Sequence, residues 1–336
     1  MKIGIVTQPL LNNYGGIIQN YALQNVLKCF GHEAVTFDCR YKPIPWWIYL
    51  CSWFKTLLCF FIPGKKRSFA KITSVEKRRE CFEDFISRNI SKTKPLISFS
   101  HDVEMINQFD AFVVGSDQVW RPKYAPDIED AFLGFLKNDS IRRVAYAASF
   151  GVDEWEYTAK QTKKCSSLAK KFKALCVREK SGIDLCKKNL NVDATWVLDP
   201  TLLLKKEDYL KISEDVAAYS KPYLAAYILN MNDSICKLCE QAAAEKGLEL
   251  KVFSADAQAS LSVPEWLAMF RDASYVVTDS FHGTVFSIIF GKDFKCLYNY
   301  NRGSARFESL LNLYNSGKLE EMRQFSLNWL KDALES

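Results

Sequence analysis

A chain of 336 residues is long enough for two domains of ordinary size, each with its own core. With 48% hydrophobic and 25% charged residues it has the composition of a folded globular protein, which excludes disorder over most of its length. Its 45 basic and 39 acidic residues leave a net charge of +6, a mild excess that suits anionic ligands or a membrane surface and gives no argument for nucleic acid.

Taken in order, Lys2 to Thr7 reads as a buried first strand, and Asn12 to Gly16 as a turn of residues that tolerate left-handed backbone. Ile17, Ile18, Tyr21, Ala22, Leu23, Val26 and Leu27 recur at helical spacing, Gly31 stops the helix, and Glu33 to Asp38 is a second strand. This is the opening of a doubly wound α/β domain. Gly15 and Gly16 do not fit G-x-G-x-x-G, so they predict no dinucleotide, only backbone lying close to a ligand.

Residues 43–63 are crowded with Trp, Phe, Leu and Ile, and Lys65, Lys66, Arg67 and Lys71 follow. Bounded by prolines and broken by Ser52 and Lys55, the run is short and polar for a spanning helix. It suits an interfacial segment on an anionic bilayer, and equally a hydrophobic lid or core loop. Glu76 to Ile86 is predicted as a surface-lying amphipathic helix with Phe82 and Phe85 on its apolar side.

A short helix over 102–108 leads to a strand, Ala111 to Val114, which runs into Gly115-Ser116-Asp117. Open α/β sheets bind ligands at such strand ends. Asp117 there could orient a sugar hydroxyl or act as a base, or be a plain turn aspartate. Arg142 to Ala148 is another strand, and a long helix is predicted from Glu154 to about Phe172. The next strand ends at Arg178, which is placed either to grip a carboxylate with two parallel hydrogen bonds or to form a surface ion pair. Thr195 to Leu198 then reaches the turn Asp199-Pro200-Thr201, and the domain boundary is expected just after it, giving domains 1–203 and 204–336.

The second half starts the pattern again: strands at Tyr223–Leu229, Leu250–Phe253, Tyr275–Thr278 and Phe294–Tyr298, with helices between them. Asp279-Ser280 caps a helix whose first turn holds His282, Gly283 and Thr284. Such a helix start attracts carboxylate or phosphate. Gly283 would let a ligand approach backbone, and His282 beside it can move a proton near neutral pH. A capping Ser, a buried His and a packing Gly would look the same. The loop 299–303 carries Arg302, and the helix Ser304 to Leu313 carries Arg306.

Eleven cysteines are scattered through the chain, many in apolar runs, and no signal-like segment precedes the first strand. A reduced cytoplasmic protein with buried thiols is expected. The lone Cys236-Lys-Leu-Cys239 lacks the further ligands or context of a zinc or redox site, and no metal is predicted.

Taken together, Asn13-Tyr14-Gly15 with Gln19 to Gln24, Val114 to Trp120, Val177-Arg178-Glu179 with Ser181, Leu198 to Thr201 and Asp279 to Thr284 resemble the polysaccharide pyruvyl transferase family. The pieces run from near residue 13 to near residue 306, and 43–63 matches none of them. The resemblance implies two facing Rossmann-like domains similar to the GT-B glycosyltransferase architecture. It implies an enzyme that moves the enolpyruvyl unit of phosphoenolpyruvate onto sugar hydroxyls, forming a pyruvate ketal and releasing phosphate. No cofactor is implied beyond this donor substrate.

On that resemblance Arg178 and His282 match active-site positions, and a further basic position falls on Arg302 or Arg306. His282, Asp117 and Arg178 are then the expected catalytic residues. Tyr14, Gly15, Gly115, Ser116, Ser280, Gly283, Thr284, Arg302 and Arg306 are the expected substrate contacts. The acceptor is a capsule, exopolysaccharide or cell-wall sugar, free or polyprenyl-linked, with 43–75 as a peripheral contact at the inner face of the cell membrane. Two other readings fit the same fold: a glycosyltransferase using a nucleotide sugar, and a non-catalytic membrane-associated partner.

Overall fold

The computed structural model describes residues 1–41, 46, 51, 53, 80–99, 103–254, 261–298 and 304–335. The first half is a six-stranded sheet built from β1 (Lys2–Val6), β2 (Glu33–Thr36), β3 (Ala111–Val114), β4 (Arg142–Ala148), β5 (Ala174–Val177) and β6 (Thr195–Trp196), in the order β2-β1-β3-β4-β5-β6. Every pairing is parallel, with Ile3 beside Ala111 and Val113 beside Val144. All four β3 residues are buried, the signature of a strand covered on both faces. The helices of this half are α1 (Tyr14–Cys29), α2 (Glu80–Asn89), α3 (Val103–Ile106), α4 (Ala159–Ala169) and α5 (Lys180–Leu185).

After α6 (Lys206–Ile212) comes a second parallel sheet of β7 (Tyr223–Tyr227), β8 (Glu249–Phe253), β9 (Tyr275–Thr278) and β10 (Phe294–Cys296), in the order β10-β9-β7-β8. Its helices are α7 (Asp233–Lys246), α8 (Val263–Arg271) and α9 (Phe281–Ile289), followed by α10 (Ala305–Asn315) and α11 (Leu319–Glu335). In each sheet the strand order reverses at one point, between β1 and β3 and between β7 and β9. Open parallel sheets bind ligands just beyond such switch points. The chain leaving β1 enters α1, the chain leaving β3 makes the Asp117 turn, and the chain leaving β9 enters α9 at His282. Topology thus brings three of the sequence's turns to one place.

The halves share core. Tyr14 of α1 stacks on Trp266 of α8, with ring centroids 5.1 Å apart and 9° between planes, and its ring edge meets Phe82 at 4.7 Å. A second apolar cluster joins Ile3, Leu23 and Val113 of the first half to Phe281, Val285 and Phe307 of the second. The amphipathic helix expected over 76–86 is described over Glu80–Asn89: Glu83, Asp84, Ser87 and Arg88 face outward, and Phe82, Phe85 and Ile86 are buried in the seam, where its apolar stripe meets Tyr14 and Tyr21.

Other boundaries shift modestly. α4 starts at Ala159, behind a Thr158–Gln161 capping box, rather than at Glu154. The last helix, α11, was not anticipated, and it returns to the first sheet. Leu330 and Leu334 join the cluster with Ile3, Arg142 Nη1 donates to Ala333 O at 3.1 Å, and Leu198 N donates to Ser326 Oγ at 3.0 Å. The first sheet ends at β6, Thr195–Trp196, and the second opens at β7, Tyr223–Tyr227, while the final helix packs on the first half. The chain therefore crosses between halves twice, and Arg323 Nη1, donating to Leu203 O at 3.2 Å, ties the crossings together.

Most of the aromatic and basic stretch at 43–75 lies outside the described residues. Of it, Trp46, Cys51 and Trp53 are helical and exposed. Among the described residues, no helix is long and apolar enough to cross a membrane.

Candidate active site

The centre of the cleft is a buried ion cluster built around Arg178, where β5 ends. Its Nη1 donates to Asp199 Oδ2 at 2.7 Å and its Nη2 to Asp117 Oδ1 at 2.8 Å. All three side chains are at most 5% exposed, so each pairing compensates the loss of water around the others. Arg178 does leave its strand toward the crevice. Its partners are internal carboxylates, where the sequence suggested a ligand or a surface ion pair.

Asp199 is held at four points. Its Oδ1 accepts from Thr201 N at 3.0 Å and Thr201 Oγ1 at 2.7 Å, and its Oδ2 accepts from Ser116 Oγ at 3.3 Å as well as from Arg178. Asp117 stands in left-handed backbone at φ 70°, a conformation that Asp tolerates better than most residues. Its Oδ2 accepts from Asn13 Nδ2 at 3.2 Å, reaching across to the start of α1. Ser116 is locked by its neighbours, with N donating to Gln19 Oε1 at 3.0 Å and Oγ donating to Ala147 O at 3.0 Å. Gly115 faces the sheet: an added Cβ would lie 2.0 Å from Tyr146 O.

His282 comes from the other half. Its Nε2 lies 3.9 Å from Asp199 Oδ2, beyond hydrogen-bond range, and it is buried with no hydrogen-bond partner among the described residues. The ring packs on Gly15, where a Cβ would sit 1.9 Å from Nδ1. Only glycine allows α1 to approach so closely. The first turn of α9 is otherwise self-satisfied. Ser280 Oγ accepts from Gly283 N at 3.3 Å, and Ser280 O accepts from Thr284 N at 3.0 Å and Thr284 Oγ1 at 3.1 Å. An anion at this helix start would therefore draw on the N–H groups of Phe281 and His282. Gly283 makes room for the Thr278 hydroxyl, 2.2 Å from a hypothetical Cβ, rather than for a ligand.

The electrostatics follow from burial and pairing. Burial opposes ionisation of Asp117 and Asp199, yet Arg178 and His282 outweigh it and hold both below the usual carboxylate range. Burial pushes His282 below its ordinary value despite the two aspartates, so the empty site holds a neutral imidazole at pH 7. Burial together with Arg178 brings Arg306 down to about 10, and the charges of Asp117 and Glu179 act on it in the opposite sense. Arg306 thus belongs to the cluster. The Phe281 ring faces both guanidiniums, at 5.0 Å from Arg178 and 5.7 Å from Arg306. Arg302 lies outside the described residues.

Tyr14 sits in the apolar seam, fully buried, with its hydroxyl donating to Leu261 O at 2.6 Å, a packing position rather than the expected substrate contact. Three residues of the cluster were quoted in motifs but not nominated for the site: Asn13, Asp199 and Glu179. Glu179 is buried, its Oε1 accepts from Phe150 N at 2.8 Å, and burial raises its pKa. A carboxylate beside a buried arginine was the available signal for Glu179, and the Asp-Pro turn at a strand end for Asp199. Among the described residues, no group of three or more His, Cys, Asp or Glu is placed to hold a metal ion.

This geometry can bind an anion next to a titratable group and a paired carboxylate. Solved structures with the same two-domain GT-B fold share it only at the level of architecture. A protein described as a UDP-N-acetylglucosamine 2-epimerase from Listeria monocytogenes superimposes with a TM-score of 0.52 at 10% identity, covering 98% of this chain and 90% of that one. The UDP-GlcNAc 2-epimerase from Neisseria meningitidis, bound to UDP-GlcNAc, gives 0.49 at 11%, covering 99% of each. An alpha-glucosyltransferase in complex with UDP gives 0.45 at 10%, covering 98% and 95%. No curated protein matches the sequence. The family model for polysaccharide pyruvyl transferase matches residues 13–301, and the chain belongs to that family.

Proposed function

We propose that this member of the family is a phosphoenolpyruvate-dependent pyruvyl transferase acting on a sugar of a surface polysaccharide or its lipid-linked precursor. The observation that carries the reading is the buried Nε2 of His282, without a partner among the described residues, beside two arginines and two ionised aspartates. Ketal formation from an enol phosphate needs a proton at the methylene carbon, a base for the acceptor hydroxyl and cations for the departing phosphate.

His282 gives its proton to the methylene, which makes the adjacent carbon electrophilic. One acceptor oxygen bonds to that carbon as Asp117 takes its proton. The second hydroxyl replaces the phosphate, and its proton leaves with the phosphate. Arg306 and the start of α9 stabilise the charge that builds on the leaving group. His282 is neutral in the empty site, and the negative charge of the donor favours its protonation, so the acid forms with the substrate that needs it. Exposed Trp46 and Trp53, close in sequence to the Lys65–Lys71 basic cluster, support contact with a membrane carrying the acceptor.

The test is phosphate release from phosphoenolpyruvate with a panel of free, nucleotide-linked and lipid-linked sugars, wild type beside His282→Gln. Release that requires an acceptor and is lost in the variant is the expected result. Turnover of a nucleotide sugar, with no release from phosphoenolpyruvate, would move the chain to glycosyl transfer.

A further inference from the structure

The pairing at Arg178 has a direct bearing on how a donor anion enters. Each terminal nitrogen of the guanidinium already serves a carboxylate, Nη1 that of Asp199 and Nη2 that of Asp117, while the buried Nε has no partner among the described residues. A donor carboxylate or phosphate that grips Arg178 end-on, through its two terminal nitrogens, must replace one of the aspartates. The two aspartates are not equivalent. The Asp199 side chain is 0% exposed and bonded by Thr201 twice and Ser116 once besides Arg178. The Asp117 side chain is 5% exposed and lies on a turn, with Asn13 Nδ2 at 3.2 Å and the adjacent Gln118 N at 2.9 Å as its other donors. Asp117 is the partner that can leave.

It also sits where a substrate anion would. Its carboxylate lies between Arg178 and the start of α1, bonded by the N-cap residue Asn13, with Oδ2 only 3.5 Å from a Cβ position at Gly16. The electropositive end of a sixteen-residue helix and a guanidinium together form an anion site. His282, more than nine-tenths buried and without a partner at Nε2 among the described residues, belongs to the same cluster.

We infer that Asp117 is a built-in stand-in for the donor anion, holding Arg178 in the empty protein until the donor displaces it. The inference rests on the donor reading given above and extends it. Displacement does two things at once. Arg178 passes to the donor, and the released Asp117 becomes a free carboxylate able to take the proton of an acceptor hydroxyl. The base is therefore uncovered only when there is a donor to react with. Binding is ordered, donor before acceptor activation.

Titration calorimetry of phosphoenolpyruvate and of inorganic phosphate, with wild type, Asp117→Asn and Asp199→Asn, tests it. An internal competitor lowers apparent affinity by the fraction of protein in the open state, so a plug open in one molecule in ten costs about tenfold. Asp117→Asn should bind both anions about tenfold more tightly while its turnover collapses. Asp199→Asn removes the same charge from the same arginine and should not tighten either anion. Equal tightening in both variants would reduce the effect to general electrostatics and overturn the inference. So would unchanged or weaker binding in a folded Asp117→Asn. Should that variant fail to fold, Asn13→Ala loosens the plug and must tighten anion binding in the same direction, and its failure to do so is equally fatal. Tighter phosphate binding without any phosphoenolpyruvate binding would retain the plug and remove the donor assignment.

Discussion

The two halves meet at the cleft with different equipment. The first supplies Arg178, Asp117, Asp199 and Glu179, a set in which the arginine's terminal nitrogens and the aspartates hold each other. The second supplies His282 on a helix start whose neighbours satisfy themselves, and leaves the imidazole Nε2 without a partner among the described residues. A group locked by mutual pairing can set a field but cannot change protonation without breaking bonds. An unpartnered imidazole can. In the empty protein the comparison separates a paired set, from which Asp117 must be released before it can take a proton, from an imidazole that is ready to titrate, and it puts them on opposite sides of the seam.

The separation is broken most directly by His282→Gln. If the second half carries the proton, turnover falls by about 10²–10⁴-fold while donor affinity and melting temperature barely move. Equal losses in binding and turnover would put His282 in the scaffold instead. Arg178→Met probes the other side. It leaves two buried carboxylates uncompensated and should cost about 3–5 kcal/mol in urea unfolding, far more than any change at His282. Gly15→Ala strikes the contact between the two. A methyl group 1.9 Å from His282 Nδ1 forces the ring or the helix to move, at a cost of about 1–3 kcal/mol, with loss of turnover beyond what stability explains.

Smaller effects sharpen the picture. Ser280→Ala removes the cap of α9 and should lower stability by about 0.5–2 kcal/mol without abolishing donor binding. The pH dependence is smallest. The folded His282 pKa lies below 6.5, so between that value and 6.5 the unfolded chain binds the extra proton and stability falls as pH drops. The unfolding free energy of wild type, from urea titrations, should fall more steeply than that of His282→Gln from pH 7 to pH 5.5, by at most about 1.4 kcal/mol per pH unit. Asp117 and Asp199 are held below the usual carboxylate value, so their contribution persists through this window and is lost only at lower pH, as it falls through their folded values.

The order of elements was legible because parallel strands covered on both faces read as short apolar runs, as at Ala111–Val114 and Tyr275–Thr278. That Asp117, Arg178 and His282 stand just past strand ends was legible for the same reason, since their position follows from local pattern. What local pattern does not carry is partnership. Asp117 and Arg178 are 61 positions apart, and nothing near either shows that one neutralises the other. Tyr14 was expected at the ligand because it stands in Asn13-Tyr14-Gly15, one of the motifs of the family resemblance. Its ring is claimed by Trp266, from a half of the chain that sequence spacing could not bring to it. The helix over 80–89 shows the same limit, because a stripe of Phe82, Phe85 and Ile86 says that a face is covered but not by what. Glycines misled in one consistent way: Gly115 and Gly283 answer to protein atoms pressing on them, Tyr146 O and the Thr278 hydroxyl.

The double crossing of the chain has mechanical consequences. A body joined by one thread can swing, twist and tumble about it. A body joined by two threads fastened side by side, as Arg323 fastens the stretch entering α11 to Leu203, keeps freedom mainly about the line through both. Relative motion of the halves would thus be a bend with torsion suppressed, which keeps His282 of one half in register with Asp199 of the other.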